Sequence, residues 1–264
     1  MIDAVLPLAT GLFLWFKADT ITGVASGTPV DRWADSSSSK YDATMEVPHL
    51  QPLYQENVAN GKPTLRFHGG QRLSTVPIQF FRNGRDSLTL FIVFQAEAKD
   101  RASCLVNKAS VNPTPGFELA LDPRSQAAGN IGIGQIESNA VSSGVNLILP
   151  SNFYIFVLSV ASEGNSPENI SMQLNATNLD VSKTGAGWLN PGEYPTNLSA
   201  FDIGARRGTK KNRASPRFFS GDIAEILAFS HKLSPPDLGR VGCYLQKKYN
   251  ISAAVSWCSL EPQS

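Results

Sequence analysis

Two stretches of this chain, Leu88–Phe94 (LTLFIVF) and Phe153–Val160 (FYIFVLSV), are almost unbroken runs of apolar, β-branched and aromatic residues. Runs this short cannot cross a membrane as a helix and carry no helical period. They read as strands covered on both faces, one by an opposing sheet and the other by loops. Elsewhere the period is two. Ile170, Met172 and Leu174 alternate with Ser171, Gln173 and Asn175, and Phe117, Leu119 and Leu121 with Glu118, Ala120 and Asp122. Such alternation describes strands with one wet face.

Further strands are expected at Leu12–Phe16, Thr64–Phe67, Arg72–Thr75, Asn130–Gln135 and Phe218–Phe229. Between them stand turn signals such as Asn60-Gly61, Gly69-Gly70, Asn83-Gly84 and Asn112–Gly116. Charged residues make up only 17% of the chain, against 21 Gly and 17 Pro, a balance that suits strands and corners better than a helical bundle. One helix is signalled. Ser234 is its N-cap, Pro235 and Pro236 fill the first turn, and Asp237 complements the dipole. Leu238, Val241 and Leu245 share a face, and Asn250 closes the end. The polar stretch Glu163–Pro195 reads as long rim loops. With no internal repeat or linker, residues 1–264 are expected to form one domain, with a core over about 12–250 and a tail over 251–264. The fold class is therefore all-β, an antiparallel two-sheet sandwich with one short C-terminal helix.

Several pieces of the sequence, in order, resemble the laminin-G-like jelly-roll branch of the concanavalin A-like lectin/glucanase superfamily. They begin with Leu14-Trp15-Phe16-Lys17-Ala18-Asp19 and Val30-Asp31-Arg32-Trp33-Ala34-Asp35. Asn60-Gly61-Lys62-Pro63, Arg66-Phe67-His68-Gly69 and Leu73 follow. The longest is Phe219-Ser220-Gly221-Asp222-Ile223-Ala224-Glu225-Ile226-Leu227-Ala228-Phe229, trailed by Leu233-Ser234, Tyr244-Leu245 and Lys248-Tyr249. His68 departs from the Asp common at that turn. The resemblance implies a jelly roll whose N-terminal strand lies beside the Phe219–Phe229 strand, with Trp33 in the core. It implies little about activity, because the fold hosts lectins, adhesion modules, hydrolases and structural proteins.

The glucanases of that superfamily carry acid and nucleophile on one strand as Glu-x-Asp-x-x-Glu, and this chain lacks the pattern. Asp222 and Glu225 come nearest, but three positions on a regular strand separate them onto opposite faces, where they read as rim polar groups. On that ground no enzymatic activity is expected. His49, His68 and His231 stand apart in turns, with no transition-metal spacing. No cofactor is expected. A structural calcium, which laminin-G-like domains often bind, would call on Asp19, Asp31, Asp35 and Asp42, although no contiguous calcium loop is present.

Net charge is +1, yet Arg206, Arg207, Lys210, Lys211, Arg213 and Arg217 crowd a stretch with no acid. This reads as an exposed basic finger at a hairpin tip, able to grip an anionic glycan or an acidic neighbouring subunit. Arg206, Arg207, Lys210, Lys211 and Arg213 are the ligand-binding candidates, with Trp188 and Tyr194 as sugar-stacking aromatics. Nucleic acid is not expected, since no aromatics interleave with the cations. The four Asn-x-Ser/Thr sequons occur at about chance frequency.

Three cysteines without close spacing favour reduced thiols and leave a single bridge open. The N-terminus lacks basic residues before its apolar stretch and carries Asp3, so no signal peptide is read. No stretch is long enough for membrane insertion. The resulting expectation is a non-catalytic lectin-like binding or assembly module, alongside copies of itself or other structural subunits. Its setting would be a virion surface, as a bacteriophage tail or capsid decoration component, or another extracellular assembly. The alternatives are an adhesion domain of a secreted protein and a glycoside hydrolase or polysaccharide lyase with a dispersed site.

Overall fold

The apolar runs become the centre of a three-layer stack in the computed structural model. It describes residues 6–79, 86–97, 103–108, 117–122, 130–135, 139–143, 148–161, 170–184, 199–206 and 216–259. Among these, all strand pairings are antiparallel. The first sheet has eight strands, in the order Thr177–Asn178, Ile170–Leu174, Phe153–Val160, Leu88–Ala96, Ser220–Phe229, Lys62–His68 and Leu53–Ala59, with Leu12–Lys17 also paired to Ser220–Phe229. The second has nine, in the order Val181–Thr184, Asn139–Ser143, Asn130–Gln135, Phe117–Asp122, Ser103–Lys108, Asp202–Ile203, Leu73–Ser74, Ala43–Thr44 and Arg32–Trp33. A two-stranded ribbon, Ala205–Arg206 with Arg217–Phe218, stands beside it. The all-β antiparallel sandwich and its single C-terminal helix are thus as the pattern implies.

The main core fills the space between the sheets. Leu14, Phe16, Phe67, Ile92, Phe94, Phe156, Ile223 and Ile226 meet Trp33, Leu73, Val106, Leu119 and Ile203 across it. The next residues along the central strands, Phe91, Val93, Ile155, Val157, Leu227 and Phe229, point the other way into a second core. That second core is closed by helix α1 (Pro235–Tyr249) and the segment after it, through Val241, Tyr244, Leu245, Tyr249, Ile251 and Trp257. The central runs are therefore apolar on both faces because a helix, rather than loops, covers the second face.

Helix α1 starts where its cap requires, with the Ser234 hydroxyl accepting from the Asp237 amide. It ends at Asn250 in the left-handed conformation (φ 47°). Its apolar stripe needs a partner, and the sheet supplies one. Ile170–Leu174 is the strand its alternation implies; the departure from the rim-loop reading is that it turns back on Thr177–Asn178 and that Val181–Thr184 follows as a further strand. A second departure concerns the thiols. Cys243 and Cys258 form a disulfide, while Cys104 is free and buried, so reduction of all three cysteines does not hold. The helix brings Cys243 over the returning tail, a proximity that sequence separation hides.

Candidate functional site

Across the nine-stranded sheet, Leu119, Val106, Ile203 and Leu73 face one another in register and point into the main core. Their strand neighbours form a second row in register: Glu118 opposite Asn107, Asn107 opposite Asp202, and Asp202 opposite Ser74. Because side chains alternate along a strand, this polar row stands on the face turned away from the core. Glu118, Asn107 and Asp202 are nonetheless buried. Ser74 Oγ donates to Asp202 Oδ1 at 2.6 Å, and Asn107 Nδ2 approaches Asp202 Oδ2 at 3.5 Å.

Glu118 ties this row to the basic ribbon. Arg206 Nη1 lies 3.1 Å from its Oε2 and Arg217 Nη1 lies 3.1 Å from its Oε1. The two arginines face each other as a cross-strand pair. Like charges directly opposite would repel, and one carboxylate placed between them removes that penalty. The two strands expected to flank the hairpin are paired, and Glu118 holds that pair together.

Arg206 is thereby corrected. It was expected on an exposed finger, but it is buried and spent on Glu118. Arg217 is half-buried on the same acid. Arg207, Lys210, Lys211, Arg213, Trp188 and Tyr194 lie outside the described residues. Sequence reasoning missed Glu118 itself. The alternation around it puts Glu118 on the polar face, but its partners lie 88 and 99 residues away in sequence.

Two titrating groups sit beside the row. Lys108 has no exposed surface, and burial pulls its amine down to about 8, with Asp202 opposing; Nζ donates to Ser199 Oγ at 2.9 Å. The buried Cys104 thiol is pushed well up by desolvation, and Glu118 and Asp202 add to the rise.

The eight-stranded sheet holds the other two carboxylates of interest. Between Ile223 and Glu225 the Ser220–Phe229 strand shifts register against Leu88–Ala96, leaving Ala224 as the extra residue of a bulge. Ile223 and Ile226 both point into the main core, so Asp222 and Glu225 share the opposite face, the one beneath α1. The expectations of opposite faces and of rim positions both fail here. Asp222 takes a two-pronged contact from Arg66, at 2.7 and 2.6 Å, and a bond from Thr64 Oγ1. Glu225 has no exposed surface. It accepts from Trp15 Nε1 (2.6 Å), Tyr249 OH (2.8 Å), Tyr244 OH (3.2 Å) and Lys248 Nζ (2.7 Å).

Among the described residues no group of three or more His, Cys, Asp and Glu side chains could hold a metal ion. Three of the four acids considered for calcium have protein partners for their side chains. Asp19 pairs with Lys248, Asp42 with Arg32, and Asp35 accepts from the amides of Trp15, Ser37 and Tyr41. No helix among the described residues is long and apolar enough to cross a membrane.

No protein-family model and no curated protein matches the chain. Solved structures do. Trypanosoma rangeli sialidase in complex with sialic acid superposes with a TM-score of 0.55 at 16% identity, over 95% of this chain and 35% of that one. The same sialidase in complex with the inhibitor DANA gives 0.57 at 15% identity, over 94% and 34%. The Botulinum neurotoxin serotype D binding domain gives 0.53 at 13% identity, over 90% and 51%. The chain thus spans about a third of the sialidase and half of the toxin domain. At these identities the likeness shows a shared fold.

The exclusion of enzymatic activity is overturned. The bulge removes its structural ground, and the structures sharing the fold include sialidases, which are glycoside hydrolases.

Proposed function

We propose that this chain is a carbohydrate-binding β-sandwich domain whose ligand is an anionic glycan, taken at the outer face of the nine-stranded sheet beside the basic hairpin. The observation that carries this reading is the Glu118 clamp. It uses two of the six clustered cations, Arg206 and Arg217, to fix the paired strands, and the other four, Arg207, Lys210, Lys211 and Arg213, lie between them in the sequence. A carboxylated sugar suits such a cation cluster through charge-assisted bonds. Support also comes from the fold shared with a sialidase held in complex with sialic acid and with a toxin binding domain. The laminin-G-like branch remains our finer family assignment, supported by the ordered sequence pieces and by the pairing of Leu12–Lys17 with Ser220–Phe229. The setting we propose is an extracellular surface, a virion component being one form of it. The Cys243–Cys258 bridge supports an oxidising environment.

Binding to an array of sialylated, uronic, sulfated and neutral oligosaccharides tests the reading. The acidic members should be retained and released by added salt, since exposed charge contacts are screened over about 8–10 Å. Replacing Arg207, Lys210 and Lys211 together with Ala should weaken retention by about tenfold or more without shifting the thermal midpoint. Equal retention of neutral and acidic sugars, or no effect of the triple variant, would sink it.

A second reading, glycoside hydrolysis, is favoured by Asp222 and Glu225 sharing one face. Release of free sugar from the same oligosaccharides, lost in Asp222→Asn, would support it. Asp222 is already paired with Arg66, so this reading also requires that pair to open.

A further inference from the structure

We infer that the Cys243–Cys258 disulfide is an oxidation-dependent lock on the C-terminal segment, closed once the chain leaves a reducing compartment, and that opening it undocks residues 250–259 while the sandwich stays folded. The inference rests on described residues of the helix layer and is independent of the proposed glycan site.

The segment after α1 is poorly anchored by its own side chains. Ile251 and Trp257 are buried, but Ser252, Ala254, Val255 and Ser259 are exposed. Trp257 carries most of the docking. Its ring lies against Gly242, where an added methyl would collide with the indole. Its backbone amide donates to Gln246 Oε1 at 2.9 Å and its Nε1 donates to Gln173 Oε1 at 3.2 Å. Ser256 Oγ adds a bond to the same Gln246 oxygen at 3.1 Å. Against these contacts stands the entropy of ordering the whole returning segment, which grows with every residue fixed. Two buried side chains and a few exchangeable hydrogen bonds are a weak counterweight. The bridge changes the comparison by closing a loop of sequence separation 15, so that the undocked chain can no longer explore freely.

The sandwich does not depend on the tail in the same way. The main core lies between the two sheets and includes no residue beyond Ala228. Helix α1 keeps Val241, Leu245 and Tyr249 on the eight-stranded sheet, and Tyr244, Lys248 and Tyr249 hold Glu225. The chemistry of opening is also directional. Cys243 is buried and Cys258 is half-buried, so an incoming thiolate reaches Cys258 Sγ first. With a small dithiol as reductant, its thiolate bonds to Cys258 Sγ and Cys243 leaves as a thiolate that takes up a proton. The second thiol of the reagent then closes its own disulfide and frees Cys258. Two electrons pass from the dithiol to the bridge, and Cys104 takes no part.

The test is limited chymotrypsin digestion of the full chain with and without dithiothreitol, read by mass spectrometry at the Trp257–Cys258 bond. The oxidised chain should resist cleavage there. Reduction should raise the rate about tenfold or more, because proteolysis follows the open population, while near-ultraviolet circular dichroism retains the signal of the packed core. Cys258→Ser should behave as the reduced chain in either condition. Gly242→Ala should expose Trp257 even with the bridge intact, which separates loss of docking from loss of the bond. Equal cleavage rates with and without reductant would overturn the inference. So would loss of the core signal on reduction, or recovery of three alkylatable thiols from chain isolated without reductant.

Discussion

Glu225 has no exposed surface, yet it is ionisable and sits in the longest strand among the described residues. Four donors surround it, and Lys248 also reaches Asp19 at 2.8 Å, so the carboxylate joins strand, helix and N-terminal segment. Removing one partner of a buried ion pair strands the other. Glu225→Ala is therefore expected to cost about 3–5 kcal/mol in urea unfolding, and Glu225→Gln less, since it still accepts from Trp15 and the tyrosines. Lys108 gives a pH-dependent counterpart. Its folded value, about 8, lies below its ordinary 10.5, so the unfolded chain binds more protons between those limits. Stability from this residue must then rise with pH across that window, by at most about 1.4 kcal/mol per pH unit. Tyr249 and Cys104, both pushed up, act in the opposite sense near and above pH 9–10. The difference in unfolding free energy between the native chain and Lys108→Met cancels them and should increase from pH 8 to 10. A flat difference would mean that Lys108 is not desolvated.

The strand Ser220–Phe229 is where sequence and structure part most instructively. Its residues are apolar enough to announce a central strand, and Phe94, Phe156 and Ile226 are all buried where the pattern puts them. The bulge at Ala224 is invisible, because nothing in Asp222-Ile223-Ala224-Glu225 distinguishes an extra residue from a regular one. A one-residue change of phase reverses which face each later side chain takes, and this reversal carried Glu225 to the side of Asp222. Gly221 just before it has φ 141°, and a methyl there would meet the Gln95 carbonyl oxygen. Gly221→Ala should destabilise by more than about 1 kcal/mol, seen as a lower thermal midpoint, whereas Gly61→Ala at an open turn should cost less. Helix α1 lies at the opposite extreme of legibility. Its cap, prolines and closing Asn250 are all local signals. The Glu118 clamp and the disulfide were hidden because their partners meet only through tertiary packing.

At the scale of the molecule, two cores are stacked on either side of the eight-stranded sheet, and their cost of disruption should differ. Phe94→Ala or Phe156→Ala, in the main core, should cost about 3–5 kcal/mol in urea unfolding and destabilise both sheets together. Both ends of the described chain collect on one side of this stack. Leu6 and Leu8 pack against the second core, as does Cys258, and the Ser230 amide donates to the Gly11 carbonyl nearby. The polar row of Glu118, Asn107 and Asp202 belongs to the far face, beyond the other sheet. Leu6, Leu8 and Cys258 thus lie behind the sandwich, on the side away from that row. Biosensor chips loaded through the N-terminus and through the C-terminus should then give the same glycan response, as a lamp shines alike whichever side of its base carries the bracket.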